Sequence, residues 1–330
     1  MKVIKAGILA GTFLALVSGV ASAQDKTLAI VVKGLDNPFF EQVNLGCQKW
    51  NSENSDSEYT CLYTGPASSA DEAGQIQVVD DLLTRPDVVA IAISPSNAPL
   101  MARLLRDRAP SIPVMTIDAD LSADDADLRQ TYLGTDNYLM GVKFAEHLKQ
   151  LKPDGGTVCL QLGNVAADNI NQRAAGTRDT LSGQQGTERL EGQGGWAEVS
   201  GCPVFTNDQA DLANQQMADT FTANPDLSAF MLIGGWAQFA PQAYVQVTDQ
   251  VMDKLNSREL AIVAGDTLPP QMEALKAGRS HVQVGQRPFE MGYRAPSVMI
   301  DLIDGKMVDP VIYTGLDECT QDNTDTCIGG

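Results

Sequence analysis

Histidine is almost missing from this chain, with His147 and His281 the only two in 330 residues. No Cys-x-x-Cys occurs either, so a zinc site has no usable ligand set. There is no P-loop, no His-based metal motif and no nucleophile elbow. Residues 192–197 have the spacing of a dinucleotide fingerprint, but they follow charged residues rather than a strand and are set aside. Basic residues are scarce, 23 against 42 acidic, for a formal net charge of −19. Such a surface repels phosphate backbones and argues against nucleic-acid partners and anionic membranes. Long apolar runs are absent beyond the first 23 residues, and so are low-complexity tracts.

Residues 1–23 carry Lys2 and Lys5, an apolar run over 6–20, and Ala21-Ser22-Ala23. A positive start, a short apolar centre and an A-x-A site predict a cleaved secretory signal peptide. The run is short for a transmembrane helix. Removing it takes away two lysines and no acid, moving the charge from −19 to −21. The mature protein is therefore expected in the periplasm. About 300 remaining residues suffice for two domains. All six cysteines lie in this part, an even number that suggests disulfides in an exported chain. Six cysteines allow 15 pairings. Proximity along the chain favours Cys47–Cys61, Cys159–Cys202 and Cys319–Cys327.

The organising stretch is 28–46, LAIVVKGLDNPFFEQVNLG. Residues 28–32 are a continuous apolar, β-branched run, the pattern of a strand buried on both faces. Asp36-Asn37-Pro38 supplies a cap and a first-turn proline for a helix. Phe39, Phe40, Val43, Cys47 and Trp50 then fall at helical spacing. Strands are predicted next at 59–63, 88–93 and 114–117, with helices at 71–83 and 98–108. The pattern restarts with helices at 138–151, 169–182, 210–222, 241–255, 269–276 and 291–303, the last bent near Pro296. Strands of this half are predicted at 157–162, 204–206, 227–233, 261–264 and 282–284. Residues 183–201 read as a loop or an irregular strand, and 120–137 as an acidic crossover. Short strands alternating with helices predict two doubly wound, parallel α/β lobes of Rossmann type.

In such sheets ligands bind at the carboxyl ends of the strands. Those ends carry Asn37, Asp118, Asp266 and Gln286, with Arg173 on a helix and Phe39, Phe40 and Trp236 as aromatic neighbours. A neutral polyol suits this set, because each hydroxyl needs a donor and an acceptor and its C–H faces can lie on rings. Each residue also has a plainer reading: Asp118 and Asp266 as loop caps, Arg173 in a surface ion pair, Gln286 as a strand end, Trp236 and one of the two phenylalanines as core. Asp118 with Asp120 is the one candidate carboxylate pair for an exported enzyme, but it has no identifiable donor, nucleophile or metal beside it.

Over nearly its whole mature length the chain resembles the periplasmic sugar-binding proteins of ABC transporters, of the ribose-binding type. The likeness rests on Asn37-Pro38-Phe39-Phe40, Thr116-Ile117-Asp118 and Gly134-Thr135-Asp136-Asn137 followed by Gly141. It continues through Arg173 with Gly176, Gly265-Asp266, Gln286-Arg287-Pro288 and Met291-Gly292. The resemblance implies hydrogen bonds to sugar hydroxyls from Asn37, Asp118, Arg173, Asp266 and Gln286, and stacking on Phe39 and Phe40. Three positions depart from the ribose pattern. Ala119 replaces an arginine, Gly234-Gly235 followed by Trp236 replaces an amide or acid pair, and Lys33 replaces a small polar residue. The turn Tyr63-Thr64-Gly65-Pro66 looks closer to the branch that handles deoxysugars and small polyol-like signals.

The resemblance also implies lobes of 24–134 plus 287–312 and 135–286 plus 313–330. They would be joined by a three-crossing hinge near 133–136, 286–288 and 311–314. It implies a monomeric binder, not an enzyme, with no cofactor and no metal, that passes its sugar to a membrane permease. The alternative is presentation of the same ligand to a membrane sensor kinase or chemoreceptor.

Overall fold

The computed structural model describes residues 26–328, so the leader expected over 1–23 lies outside the described residues. The chain opens with β1 (Lys26–Val31), α1 (Pro38–Glu53), β2 (Tyr59–Thr64), α2 (Glu72–Leu83), β3 (Val88–Ile93), α3 (Ala98–Arg108), β4 (Val114–Ile117) and β5 (Tyr132–Thr135). It continues through α4 (Asn137–Leu151), β6 (Gly156–Leu162), α5 (Asp168–Ser182), β7 (Trp196–Glu198), β8 (Val204–Phe205), α6 (Ala210–Ala223) and β9 (Ala229–Leu232). Then come α7 (Pro241–Asp249), α8 (Met252–Ser257), β10 (Ala261–Gly265), α9 (Pro269–Lys276) and β11 (Val282–Gly285). The last elements are α10 (Pro288–Ile303), β12 (Val311–Thr314) and β13 (Asp317–Thr320).

Two sheets result. The first has the order β12-β5-β4-β3-β1-β2 and pairs parallel throughout. The second has the order β13-β11-β10-β9-β6-β7, with β8 also beside β6; β13 is its antiparallel member. β1 lies between β2 and β3, with Leu28 opposite Cys61 on one side and Ala90 on the other. Residues Leu28 to Val31 are fully buried, as a strand covered by helices on both faces requires. Side chains of Asn37, Asp71, Asn97 and Asp136 cap α1 to α4.

The chain passes between the sheets three times: after β5, between β11 and α10, and between β12 and β13. The third passage falls later than the sequence suggests. Residues 311–314 are themselves a strand, paired with β5 from Val311↔Tyr132 to Thr314↔Thr135.

Other departures have local causes. The region 120–137, read as a crossover, contains β5, whose four residues are buried. The loop 183–201 contributes β7, paired to β6 through Gly156↔Trp196. The helix expected over 241–255 is two helices. Thr248 Oγ1 donates back to Tyr244 O at 2.8 Å, and Val251 leaves helical geometry at φ −124°. The final helix starts at Pro288, where a first-turn proline costs no hydrogen bond, and runs on through Pro296.

All six cysteines are paired, as Cys47–Cys61, Cys159–Cys202 and Cys319–Cys327. The first ties α1 to β2, the second ties β6 to the segment before β8, and the third closes the tail after β13. In the second lobe α4 and α5 pack backbone to backbone. A Cβ on Gly141 would sit 2.1 Å from Arg173 O, and one on Gly176 would sit 2.2 Å from Tyr138 O. Only glycine permits that approach, and it fixes the helix that carries Arg173.

Candidate functional site

The carboxyl ends of both sheets face each other across a cleft, and the nine residues expected from sequence all line one cavity there. From the first lobe come Lys33, Asn37, Phe39, Phe40 and Asp118. From the second come Arg173, Trp236, Asp266 and Gln286. The cavity measures about 30 Å³, room for one or two waters rather than for a sugar ring. A larger cavity of about 460 Å³ lies beside the second crossing, lined by Leu268, Pro269, Phe289 and Tyr293 among others. Its walls are mainly apolar, whereas the small cavity gathers the charged network and all nine expected residues, which makes it the candidate site.

Asn37 caps α1 by accepting from Phe39 N at 3.0 Å. Phe39 and Phe40 are buried, with ring centroids 5.2 Å apart at 88°, an edge-to-face pair. Asp118 follows β4 directly; its Oδ2 accepts from Ser94 Oγ at 2.7 Å and lies 3.8 Å from Lys33 Nζ. Lys33 is 3% exposed and donates to Asn169 Oδ1 of the other lobe at 3.1 Å.

Arg173 is 2% exposed, which rules out the surface ion pair. Its Nε donates to Asn137 Oδ1 at 2.8 Å and its Nη2 to Gln286 Oε1 at 2.7 Å. Gln286 Oε1 also accepts from Thr135 Oγ1 at 2.9 Å, and its Nε2 donates to Asp266 Oδ1 at 2.8 Å. Thr135 and Gln286 stand at the first and second crossings, so this network ties hinge to cleft. Burial pushes the Asp266 carboxyl above the usual carboxylate range, and Arg173 with Gln286 pulls it partly back.

Tyr132 completes the hinge side: its single hydroxyl proton is shared between Asp118 O and Thr135 O, each 2.9 Å from the oxygen. Burial raises its phenol well above the ordinary value, so it stays a donor. Asp120 does not join Asp118 in the cavity. Its Oδ1 accepts from Arg129 Nε at 2.9 Å and from Thr116 Oγ1 at 2.6 Å. The carboxylate pair suggested for catalysis is thereby split.

Sequence reasoning missed Asn169, Asp208 and Phe239, which also line the cavity. Asn169 lies in the first turn of α5, which follows the carboxyl end of β6, and Asp208 closely follows β8, so both sit where the strand-end rule looks. Phe239 packs against the apolar cores of both lobes, a contact between distant segments that no local pattern announces.

The lobes also touch outside the cavity. Ala98 N donates to Ala166 O at 3.2 Å. Glu72 on α2 accepts from Asn97 Nδ2 at 2.7 Å and from Asn164 Nδ2 of the second lobe. The described conformation is therefore a closed one.

Comparison with known proteins agrees with this architecture. A family model described as periplasmic binding protein domain matches residues 28–307. The ribose import binding protein of Salmonella typhimurium is 22% identical over 309 residues, which is 93% of this chain and 95% of that protein. The D-allose-binding periplasmic protein of Escherichia coli is 20% identical over 91% of this chain and 92% of its own. Among solved structures, an ABC transporter solute-binding protein of Burkholderia graminis in complex with D-arabinose superposes with a TM-score of 0.77. It is 25% identical and covers 92% of this chain and 98% of its own. A solute-binding protein of Agrobacterium vitis with bound D-fucose shares the fold at a TM-score of 0.76 and 22% identity, covering 91% and 97%.

Proposed function

The chain belongs to the periplasmic binding protein family, and from that premise we propose that it captures a neutral sugar or polyol between its lobes and delivers it to an ABC transporter permease. The observation that carries this reading is the closed cleft itself, where buried acceptors, donors and rings from both lobes converge on one cavity. Asp118 and Asp266 accept from hydroxyls, and Arg173, Asn37, Lys33 and Gln286 donate to hydroxyl or ring oxygens. Phe39, Phe40 and Trp236 cover the C–H faces. Arg173 and Lys33 face at least as many buried carboxylates, so a ligand carboxylate or phosphate would find like charge and little spare cation. The relatives' names include ribose, allose, arabinose and fucose, all uncharged.

The protein works in the periplasm as a monomer, after loss of residues 1–23. Its lobes are 24–134 with 287–312 and 135–286 with 313–330, the last boundary moving to the end of β12. They hinge on the three passages between the sheets. The small cavity means that entry requires opening, and that the Lys33–Asn169 contact yields to the ligand.

The test is a thermal-shift screen of the mature protein against D-ribose, D-arabinose, D-allose, D-fucose, D-tagatose and myo-inositol. A hundredfold excess over Kd stabilises by about 2.7 kcal/mol, a shift of several degrees for a chain of this size. If only sugar acids, sugar phosphates, amino acids or metals raised the melting temperature, the reading would be overturned.

A further inference from the structure

Asp208 comes into the cleft from the short segment after β8, where Asn207 and Asp208 both hold left-handed backbone, at φ 48° and 60°. Asp208 as a whole is half-buried, but its Oδ1 is shut off from solvent and accepts no side-chain or backbone hydrogen bond of normal geometry among the described residues. A buried acceptor without a donor is costly, and such atoms in a cleft call for an explanation. Lys33 stands in the same cavity on the other lobe. It is a donor-only group with three protons, of which one goes to Asn169 at 3.1 Å and Asp118 lies at a looser 3.8 Å. Burial raises the Asp208 carboxyl; Lys33 is the first charge pulling it back, with Asp118 opposing it and the Asn164 backbone N–H and Arg173 adding smaller pulls, which agrees with Asp208 and Lys33 sharing one space.

An acceptor-only carboxylate and a donor-only ammonium, one per lobe, are complementary to a hydroxyl, which donates and accepts. We propose that Asp208 is a ligand-binding residue, and that one sugar hydroxyl, or a vicinal pair, bridges Asp208 of the second lobe to Lys33 of the first. The bridge selects sugars that carry hydroxyls at that end and helps to hold the lobes together. This inference rests on the cleft being a sugar site.

The experiment is calorimetric titration of the wild type, Asp208→Asn, Asp208→Gly, Lys33→Met and the Asp208→Asn/Lys33→Met double variant. The probes are D-ribose, D-arabinose, D-allose, D-fucose, D-tagatose and myo-inositol. Asn and Gly both tolerate the left-handed backbone, so one of the two should fold even where the other does not. The best-bound probe is expected to lose roughly 10- to 100-fold in affinity with either Asp208 variant. The unliganded melting temperature should stay the same or rise. The double variant should lose less than the product of the single losses, because both side chains hold the same hydroxyls. Unchanged affinity in the Asp208 variants overturns the inference alone. Multiplicative losses overturn the bridge. A wild type that binds no probe overturns the sugar reading and this inference with it.

Discussion

Three aspartates of the cleft, Asp118, Asp208 and Asp266, hold φ of 63°, 60° and 71°. Few L-residues adopt this region at low cost, and Asp and Asn are among them. Each bend follows a strand and sets the residue on the cavity wall, so on the proposed function these positions call for a side chain that both turns and binds. Asp266→Asn keeps the turn and removes the charge, whereas Asp266→Ala adds a backbone cost of about 1–2 kcal/mol. The Asn variant is expected to bind the best sugar roughly 10- to 100-fold more weakly. Because burial already raises the Asp266 carboxyl, the ionised form burdens the folded state above the unfolded pKa, and the unliganded Asn variant should be no less stable than wild type. Titration calorimetry with urea unfolding checks both; tight binding by the Asn variant would remove Asp266 from the site. Asp168, at the start of α5, tests the same linkage. Burial pushes it up to about 6. A raised carboxyl binds its proton more tightly folded than unfolded, so its contribution is intact below pH 4 and declines as pH rises to about 6. Asp168→Asn should abolish that decline and gain about 1–2 kcal/mol at pH 7, after allowance for partial exposure. Urea midpoints at pH 4, 5, 6 and 7.5 decide it; parallel curves for the two proteins would refute the assignment.

At the scale of elements, the cleft depends on helix packing as much as on strand ends. Arg173 reaches Asn137 and Gln286 because α5 lies against α4 at glycine distance. Gly141→Ala places a methyl against Arg173 O, and a rigid carbonyl cannot give way as a flexible side chain would. The helices must separate, at a cost of about 1–3 kcal/mol, and Arg173 moves with them. The variant should unfold at lower urea and also bind sugar more weakly, although Gly141 does not line the cavity. Lowered stability with unchanged affinity would show that the helix spacing does not set the site. The same scale explains what was legible beforehand. Buried parallel strands are continuous apolar runs, so β1, β3 and β4 stood out, and a capping residue with a first-turn proline marked α1. β5, β7, β12 and β13 are short or border the hinge, and they owe their pairing to partners far along the chain. Asn37, Asp118, Asp266 and Gln286 followed from the α/β rule, whereas the family resemblance singles out Lys33 and Arg173. Asp208 escaped although its strand was expected, because the left-handed turn at 207–208 that brings it to the cleft leaves no local pattern, and Phe239 because its neighbours come from both lobes.

For the whole molecule the quantity that matters is the balance between open and closed lobes. Direct contacts between lobes favour closure without ligand, and the ligand adds to them only what it binds better in the closed form. Glu72 separates these contributions. It lines neither cavity described above, yet it joins Asn97 of its own lobe to Asn164 of the other. Glu72→Ala removes a clasp and leaves the sugar contacts in place. The apparent Kd equals the intrinsic value divided by the fraction of competent molecules. Loss of one charge-assisted hydrogen bond between the lobes should therefore weaken binding by roughly 5- to 20-fold where closed molecules are the minority. Scattering provides the independent readout. A compact chain of this length has a radius of gyration of about 19 Å. The sugar-saturated wild type and variant should both approach that value, whereas the sugar-free variant should be larger than sugar-free wild type by on the order of 1 Å. Weakened binding with identical scattering in the absence of sugar would place Glu72 in direct contact with the ligand, and the clasp would have to be abandoned.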